Sequence, residues 1–176
     1  MASDRVQIRE ATREDATAIA RVHEEAWRAT YQGIIPHLYL EKLIAHRGPA
    51  WWARNLQKPH SGMLLLIFDG TVQGYASFGA ARIPSGSRTG EIFELYLAPT
   101  FQGLGLGKRL FLAVRRVLEA RGRKSLVVWA LAENETACAF YDRLGGRRSA
   151  TAPERYGSVT LNRIAFFWES VRRPAR

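Results

Sequence analysis

The chain has 176 residues, 47% of them hydrophobic, and carries a formal net charge of +10. This length suits one α/β domain, residues 1–176 with a core over about 6–169, and leaves little room for a second. The sequence has no apolar run near the ~18 residues of a membrane span, no signal-peptide core at its start, and one cysteine, which excludes an internal disulfide. We therefore expect a cytoplasmic protein.

Positive charge is concentrated in the second half of the chain. Residues 1–100 hold 11 Lys or Arg against 10 Asp or Glu, whereas residues 101–176 hold 15 against 6. One interpretation is an anionic partner, either a phosphorylated cofactor or nucleic acid, and the other is solvated surface arginine. Nucleic acid is the weaker alternative, because the sequence lacks helix-turn-helix spacing and RNA-binding aromatic motifs.

Apolar periodicity predicts alternating strands and helices along the chain. The predicted strands are Val6–Glu10, Met63–Phe68, Val72–Ala80, Glu91–Leu97, Ser125–Ala130, Arg147–Ala152 and Leu161–Glu169. The predicted helices are a first one capped by Thr12 and running to Tyr31, then His37–Ile44, Ala50–Leu56, Lys108–Arg121 and Asn134–Leu144. Hairpins mixed with β-α-β crossovers predict an α/β fold with a mixed sheet of about seven strands and helices on both faces.

The segment after the fourth predicted strand gives the main chemical signal. It reads Gln102-Gly103-Leu104-Gly105-Leu106-Gly107, followed by a basic helix that begins Lys108-Arg109. Unpaired amides and the dipole at a helix N-terminus attract anions, and glycines let the backbone approach a phosphate closely. The segment therefore predicts a pyrophosphate site.

Two other phosphate-binding patterns fit this segment poorly. A dinucleotide fingerprint would follow the first strand of its domain with the spacing G-x-G-x-x-G, whereas these glycines follow the fourth strand at positions 103, 105 and 107. A P-loop would continue with Ser or Thr after its lysine, whereas Arg109 follows Lys108.

The glycine segment resembles the acyl-CoA signature of the GNAT superfamily, Gln/Arg-x-x-Gly-x-Gly/Ala, with its lead-in at Leu97-Ala98-Pro99. A second match, Asn134-x-x-Ala137-x-x-Phe140-Tyr141-x-x-Leu144-Gly145, is similar to a helix of that family at the family's spacing. The start Ile8-Arg9-Glu10-Ala11-Thr12 and the pattern Trp27-x-x-x-Tyr31-x-Gly33 also look family-like. The resemblance covers roughly residues 6–169.

The resemblance implies an N-acetyltransferase that moves the acetyl group of acetyl-CoA directly to a primary amine, on a small molecule or a peptide or protein. It implies a sheet that splays between its fourth and fifth strands, with the pantetheine arm in the gap. Relatives often dimerise through their C-terminal strands, so a homodimer through Leu161–Glu169 is a further expectation. The implied cofactor-binding residues are Leu95, Tyr96, Leu97, Gln102, Gly103, Leu104, Gly105, Gly107, Lys108, Asn134, Ala137 and Phe140.

Three residues are candidates for proton transfer. Tyr141 is the candidate general acid, since a phenol can protonate a departing thiolate; the alternative is simple packing beside Phe140 and Leu144. Glu91 and Glu94 are candidate bases that would deprotonate the amine, and the alternative for each is an ion pair with an arginine. Strand alternation points these carboxylates to opposite faces unless a bulge intervenes. Glu91 is favoured, because some family members have a glutamate at its offset from Gln102.

The acceptor side of the site is less defined. Trp27 and Tyr31, with the other aromatic residues of the early helices, could hold an amine by cation–π contact or could be ordinary core residues. The four histidines show no metal-ligand spacing, so we expect no metal. An acyl-CoA-binding sensor or partner module without turnover is the alternative function.

Overall fold

The computed structural model describes residues 5–57, 61–82 and 88–169. The strands are β1 Val6–Glu10, β2 Ser61–Phe68, β3 Thr71–Ala80, β4 Thr89–Leu97, β5 Ser125–Leu131, β6 Arg147–Tyr156 and β7 Val159–Glu169. The helices are α1 Ala16–Tyr31, α2 His37–His46, α3 Pro49–Asn55, α4 Leu106–Ala120 and α5 Glu135–Arg143, with short 3-10 turns at Arg13–Asp15 and Pro99–Phe101. No helix in these ranges is long and apolar enough to cross a membrane.

The seven strands form one mixed sheet in the order β1-β2-β3-β4-β5-β7-β6, which confirms the predicted fold class. β4 and β5 are parallel, and the other described pairs are antiparallel. The β6–β7 hairpin is longer than predicted, and β6 lies at the outer edge of the sheet. The chain reaches that edge through α5 and returns through β7 beside β5.

The helices cover both faces of the sheet, as predicted. On one face, α4 and α5 pack on Leu66, Phe78, Ile92 and Phe166. On the other face, α1 and α3 cover a second cluster that includes Leu65 and Tyr75, and α2 belongs to a third cluster beside it. Burial of these apolar side chains, at roughly 25 cal/mol per Å² removed from water, holds the layers together.

The start of the first helix differs from the prediction. Thr12 caps a 3-10 turn rather than α1 itself, and its backbone amide donates to the Asp15 carboxylate over 2.8 Å. Arg9 also binds Asp15, and this pairing, more than the Thr12 bonds, lowers the pKa of Asp15 to about 2. The turn therefore fastens β1 to the beginning of α1.

β4 and β5 form a ladder over only part of their length. Their pairing runs from Thr89 opposite Ser125 to Ile92 opposite Val128 and then stops. Beyond that point β4 continues along β3, while β5 continues along β7. A gap therefore opens between the second halves of β4 and β5, as the resemblance implied.

Candidate functional site

The gap is bordered by one edge of β4 that has no partner strand. The segment from Glu94 to Leu97 pairs with β3 on its other edge, but no residue of β5 is in register with it. Every second backbone amide and carbonyl of a strand points toward one edge, so this edge can accept an extended ligand as a strand would. Leu95, Tyr96 and Leu97, the strand residues expected to meet the cofactor, lie along it.

The glycine loop lies at the same end of β4, where the chain turns into α4. Gly103 and Gly105 both have φ 75°, a left-handed conformation that costs other residues roughly 1–2 kcal/mol. Gly105 caps α4, which begins two residues earlier than predicted. The amides of the first helical turn, from Leu106 to Lys108, therefore have no acceptor within the helix and can bind an anion.

Two of the expected cofactor residues, Gln102 and Gly107, also hold this loop in place. The Gln102 side-chain amide donates to the Leu97 carbonyl over 3.2 Å, which ties the loop to the end of β4. A Cβ on Gly107 would lie 3.4 Å from both Leu97 and Phe140, so glycine allows α4 to approach both β4 and α5. The side chain of Leu104 is 65% exposed beside them.

Helix α5 begins beside the gap. The side-chain oxygen Oδ1 of Asn134 caps the helix by accepting from the Ala137 amide over 3.1 Å. The same side chain lies close enough to the Tyr31 phenol to affect its pKa. Asn134 therefore connects the start of α5 with the α1 side of the gap.

Tyr141 is buried among aromatic residues of the α4 face. Its ring lies 5.4 Å from that of Phe166 and 6.0 Å from that of Trp168, and 5% of the residue is exposed. Burial raises the pKa of Tyr141 well above its ordinary value, and the Tyr31 phenol acts in the same direction. The phenol therefore stays protonated, as a general acid must, although it also packs as the alternative interpretation expected.

A β-bulge decides where the two candidate carboxylates point. Ser77 pairs with Glu94 and Phe78 pairs with Ile92, so Phe93 is an extra residue in β4. Ile92 and Leu95 consequently pack in the same core beneath α4. Glu91 and Glu94 therefore share the opposite face of the sheet, where simple alternation had placed them on different faces.

Glu91 lies in the paired part of β4, opposite Val127, and is 2% exposed. Its carboxylate accepts from the Arg82 backbone amide over 2.8 Å and from the Arg82 guanidinium over 2.7 Å. That guanidinium lies 4.4 Å from the centre of the Phe93 ring. Glu91 thus has the ion pair that was its alternative interpretation, and it fastens the residue that begins the β3–β4 connection.

Glu94 lies beyond the end of the ladder, at the gap. It forms an ion pair with Arg47, whose guanidinium lies 5.4 Å from the Trp27 ring and 4.8 Å from the Trp51 ring. Burial opposes the charge on Arg47, but Glu94 outweighs it, so the pKa of Arg47 is raised. Arg47 therefore stays charged in an aromatic environment.

Phenols line the same side of the gap. The hydroxyls of Tyr31 and Tyr96 are 2.6 Å apart, and Tyr75 shares a 2.8 Å hydrogen bond with Nδ1 of His23. Burial raises the pKa of Tyr31 to about 12 and raises that of Tyr96 well above its ordinary value. Trp27 and Tyr31, the expected acceptor residues, therefore lie next to Glu94 with neutral hydroxyl groups around them.

Arg47, Tyr75 and His23 were missed as site residues by sequence reasoning. The ion pair of Arg47 joins residues that are 47 positions apart, which no local pattern reveals. Tyr75 and His23 only follow the strand and helix periodicity. Within the described ranges, no group of three or more His, Cys, Asp or Glu could hold a metal ion.

Parallel strands that part beside a glycine-capped helix, with a carboxylate and phenols at the gap, are the arrangement that the resemblance to an acyltransferase family implied. The acetyltransferase (GNAT) family model matches residues 19–146, and the chain belongs to this family. It is 32% identical over 165 residues to the N-acetyltransferase YuaI of Bacillus subtilis, covering 93% of this chain and 92% of that protein.

Solved structures of other acetyltransferases share the fold. The PaiA N-acetyltransferase of Thermoplasma acidophilum, solved in complex with coenzyme A, matches with a TM-score of 0.78 at 20% identity, covering 93% of this chain and 98% of that one. yncA of Salmonella typhimurium, solved with its cofactor acetyl-CoA, matches with a TM-score of 0.69 at 23% identity over 98% of each chain.

Proposed function

We propose that the protein transfers the acetyl group of acetyl-CoA directly to a primary amine. The observation that carries this proposal is the coincidence of two features at one end of β4. The β4–β5 ladder stops after Ile92, and the glycine-capped N-terminus of α4 follows the same strand. An extended thiol arm with a pyrophosphate at one end fits such an arrangement, and structures of family members solved with coenzyme A or acetyl-CoA support it.

Different groups of the protein would bind different parts of acetyl-CoA. Backbone groups of Leu95 to Leu97 would pair with the amides of the pantetheine arm. The amides from Leu106 to Lys108 and the exposed Lys108 ammonium would hold the pyrophosphate. Backbone N–H groups at the bulge would polarise the thioester carbonyl, as an oxyanion site does.

Direct transfer needs a base and an acid. The acceptor ammonium loses a proton to a carboxylate, the neutral nitrogen attacks the thioester carbonyl carbon, the new C–N bond forms and the C–S bond breaks. The thiolate of coenzyme A takes a proton from Tyr141, and the second proton that the acetylated nitrogen loses restores the Tyr141 phenol, so that the first proton, on the carboxylate, is the one released to solvent. We assign the base to Glu94 because it lies at the gap, whereas Glu91, the residue favoured by its sequence offset, lies in the paired part of β4 with Arg82 bound to it.

Calorimetric titration with acetyl-CoA tests the donor site, with Gly105→Trp as the variant. No atom lies within 4 Å of a Cβ at Gly105, so a side chain can be attached there without a clash at its Cβ, and we expect the indole to fill the space in front of the amides. Gly70→Trp is the matched control, because Gly70 has φ 77° and equally open surroundings in the β2–β3 turn. We expect binding to be lost in the first variant and kept in the second.

Turnover with a panel of amines, followed by release of the coenzyme A thiol, tests catalysis. Binding of acetyl-CoA without acetylation of any amine would favour a sensor or partner module instead. Failure of the folded wild-type protein to bind acetyl-CoA would contradict the proposal as a whole.

A further inference from the structure

The Arg47 cluster, defined as Arg47, Glu94, Trp27, Trp51 and Trp52, lies on the acceptor side of the gap. The guanidinium carbon of Arg47 is within 5.9 Å of all three indole ring centres. Arg47 makes its hydrogen bond to Glu94 through one terminal nitrogen. The other terminal nitrogen of a guanidinium can then bind a second oxygen group.

Two buried nitrogen atoms in and beside this cluster have no hydrogen-bond partner among the described residues. They are Nε2 of His23 and the indole nitrogen of Trp52, whereas the Trp27 indole N–H lies within reach of the Tyr75 phenol. His23 is 0% exposed and Trp52 is 1% exposed, so water at the surface does not satisfy them. A buried N–H without an acceptor costs about 1–3 kcal/mol, and such groups commonly mark a place for an ordered water or a ligand.

The two nitrogens are neighbours, since the ring of His23 lies 5.5 Å from that of Trp52, whereas a further unpartnered nitrogen, Nε of Arg163, lies in β7 outside the cluster. The indole nitrogen of Trp52 is a donor only, so it requires an oxygen acceptor. The guanidinium and this N–H therefore offer two donors in one cluster, and a carboxylate can accept from both.

The ion pair restricts the charge of the acceptor further. An acceptor with one ammonium group could pair with Glu94 only by leaving Arg47 as an uncompensated charge among aromatic rings, which is costly. An acceptor with both an ammonium and a carboxylate can exchange partners with the pair, so that each charge keeps a counter-charge. Arg47 is reachable for such an exchange, since its side chain is 28% exposed.

We infer that the acceptor is a small amine that carries a carboxylate close to its amino group, as a free α-amino acid does. Arg47 binds the carboxylate, assisted by the indole N–H group of Trp52, and Glu94 faces the ammonium. This inference rests on the proposed acetyl transfer and specifies its substrate class.

Matched acceptors test the inference. The twenty free amino acids are assayed with acetyl-CoA, and each one that reacts is compared with its carboxamide and its decarboxylated amine. We expect the free acid to exceed both neutral-ended forms by at least ~10-fold in kcat/KM, because it alone satisfies Arg47. Equal or better use of the carboxamide or the amine would overturn the inference and leave the acetyltransferase intact. Loss of all amine acetylation would instead count against the proposed function.

Variants separate recognition from folding. Arg47→Gln should raise the KM of the free acid at least ~10-fold and abolish its advantage over the carboxamide. Arg5→Gln is the matched control, because Arg5 also binds a carboxylate, that of Asp69, and lies 4.8 Å from the ring centre of Phe68. Carboxylate preference that survives Arg47→Gln would contradict the assignment.

A second pair of measurements covers the case in which Arg47→Gln does not fold. Trp52→Phe removes one indole N–H and keeps a ring, so it should weaken binding of the free acid several-fold and leave the carboxamide unchanged. Calorimetric titration of the preferred amino acid into the coenzyme A-bound protein reports binding without turnover. Equal weakening of acid and carboxamide in Trp52→Phe would show that the indole only packs, and would overturn its role as a donor.

Discussion

Each half of β4 has a glutamate paired with an arginine that lies over an aromatic ring, but the two ion pairs have different roles. In the paired half, Glu91 binds Arg82, whose guanidinium lies over Phe93. In the open half, Glu94 binds Arg47, whose guanidinium lies among tryptophans. Glu91 is 2% exposed and bound to a backbone amide as well, so its oxygens are occupied. A carboxylate of β4 is therefore available for chemistry only where β5 has parted from that strand.

Phe93 connects the two halves. As the extra residue of the bulge, it shifts the alternation of β4 by one position, so that Glu94 follows Glu91 onto the same face. Arg82 lies 4.4 Å from its ring and is bound by Glu91. The occupied carboxylate therefore helps to fix the bulge that directs the available one toward the gap.

Substituting glutamine for Glu94 and for Glu91 should separate the two carboxylates by their effect on kcat. Glu94→Gln should lower kcat by about 10²–10³-fold, the usual contribution of a general base, while acetyl-CoA binding is kept. Glu91→Gln should change kcat less than about fivefold and should lower the free energy of unfolding by about 1–3 kcal/mol, since Arg82 loses a charged partner. Steady-state kinetics and urea unfolding of both variants provide the check. The reverse ranking of the two kcat values would return the base to Glu91.

Tyr141→Phe tests the acid on the opposite side of the gap, with a smaller expected effect. Removing the hydroxyl should lower kcat by about 10–100-fold, because water can replace the acid only in part. The raised pKa of Tyr141 means that the phenol keeps its proton as pH rises toward 10. We therefore expect wild-type kcat not to fall between pH 8 and 10, as followed by release of the thiol. An alkaline loss of kcat in that window that disappears in Tyr141→Phe would contradict this assignment of the pKa.

Much of this architecture was predictable because it follows from local patterns. Strand alternation, the Asp69-Gly70 turn between β2 and β3 and the glycine cap of α4 each depend on residues that are adjacent in the sequence. The structure has each of them. The bulge left only a weak signal, the adjacent apolar pair Ile92-Phe93, which a strand buried on both faces would also show. The pairing of Arg47 with Glu94 left none, since it depends on how α2 and α3 pack against the sheet.

The cofactor side and the acceptor side differ for the same reason. A pyrophosphate cradle is made of consecutive backbone amides, so its glycines must be adjacent in sequence. The acceptor side combines side chains from α1, α3, β3 and β4 with Arg47 from the α2–α3 turn, and only Trp27 and Tyr31 share a recognisable spacing. Sequence resemblance therefore indicates the donor and leaves the acceptor to the three-dimensional arrangement.

The open half also contains a buried histidine, which gives the smallest of the expected effects. Burial, together with the charge of Arg47, lowers the pKa of His23 from 6.5 to about 3. In the unfolded chain His23 therefore binds a proton near pH 6.5, whereas in the folded protein it binds one only near pH 3. Stability is present above the unfolded pKa and falls by up to about 1.4 kcal/mol per pH unit as pH drops through this window.

A pH-dependent unfolding experiment isolates this group. Between pH 7 and pH 5 we expect a loss of about 2 kcal/mol in the free energy of unfolding from His23. Carboxylates with lowered pKa values, such as Asp15, lose their contribution only below their unfolded value of 3.8, so they do not act in this range. His23→Gln, which can still hydrogen-bond Tyr75, should lose much less stability over the same two pH units in urea titrations. An equal loss in the variant would mean that the proton enters elsewhere and that His23 is not held neutral by the Arg47 cluster.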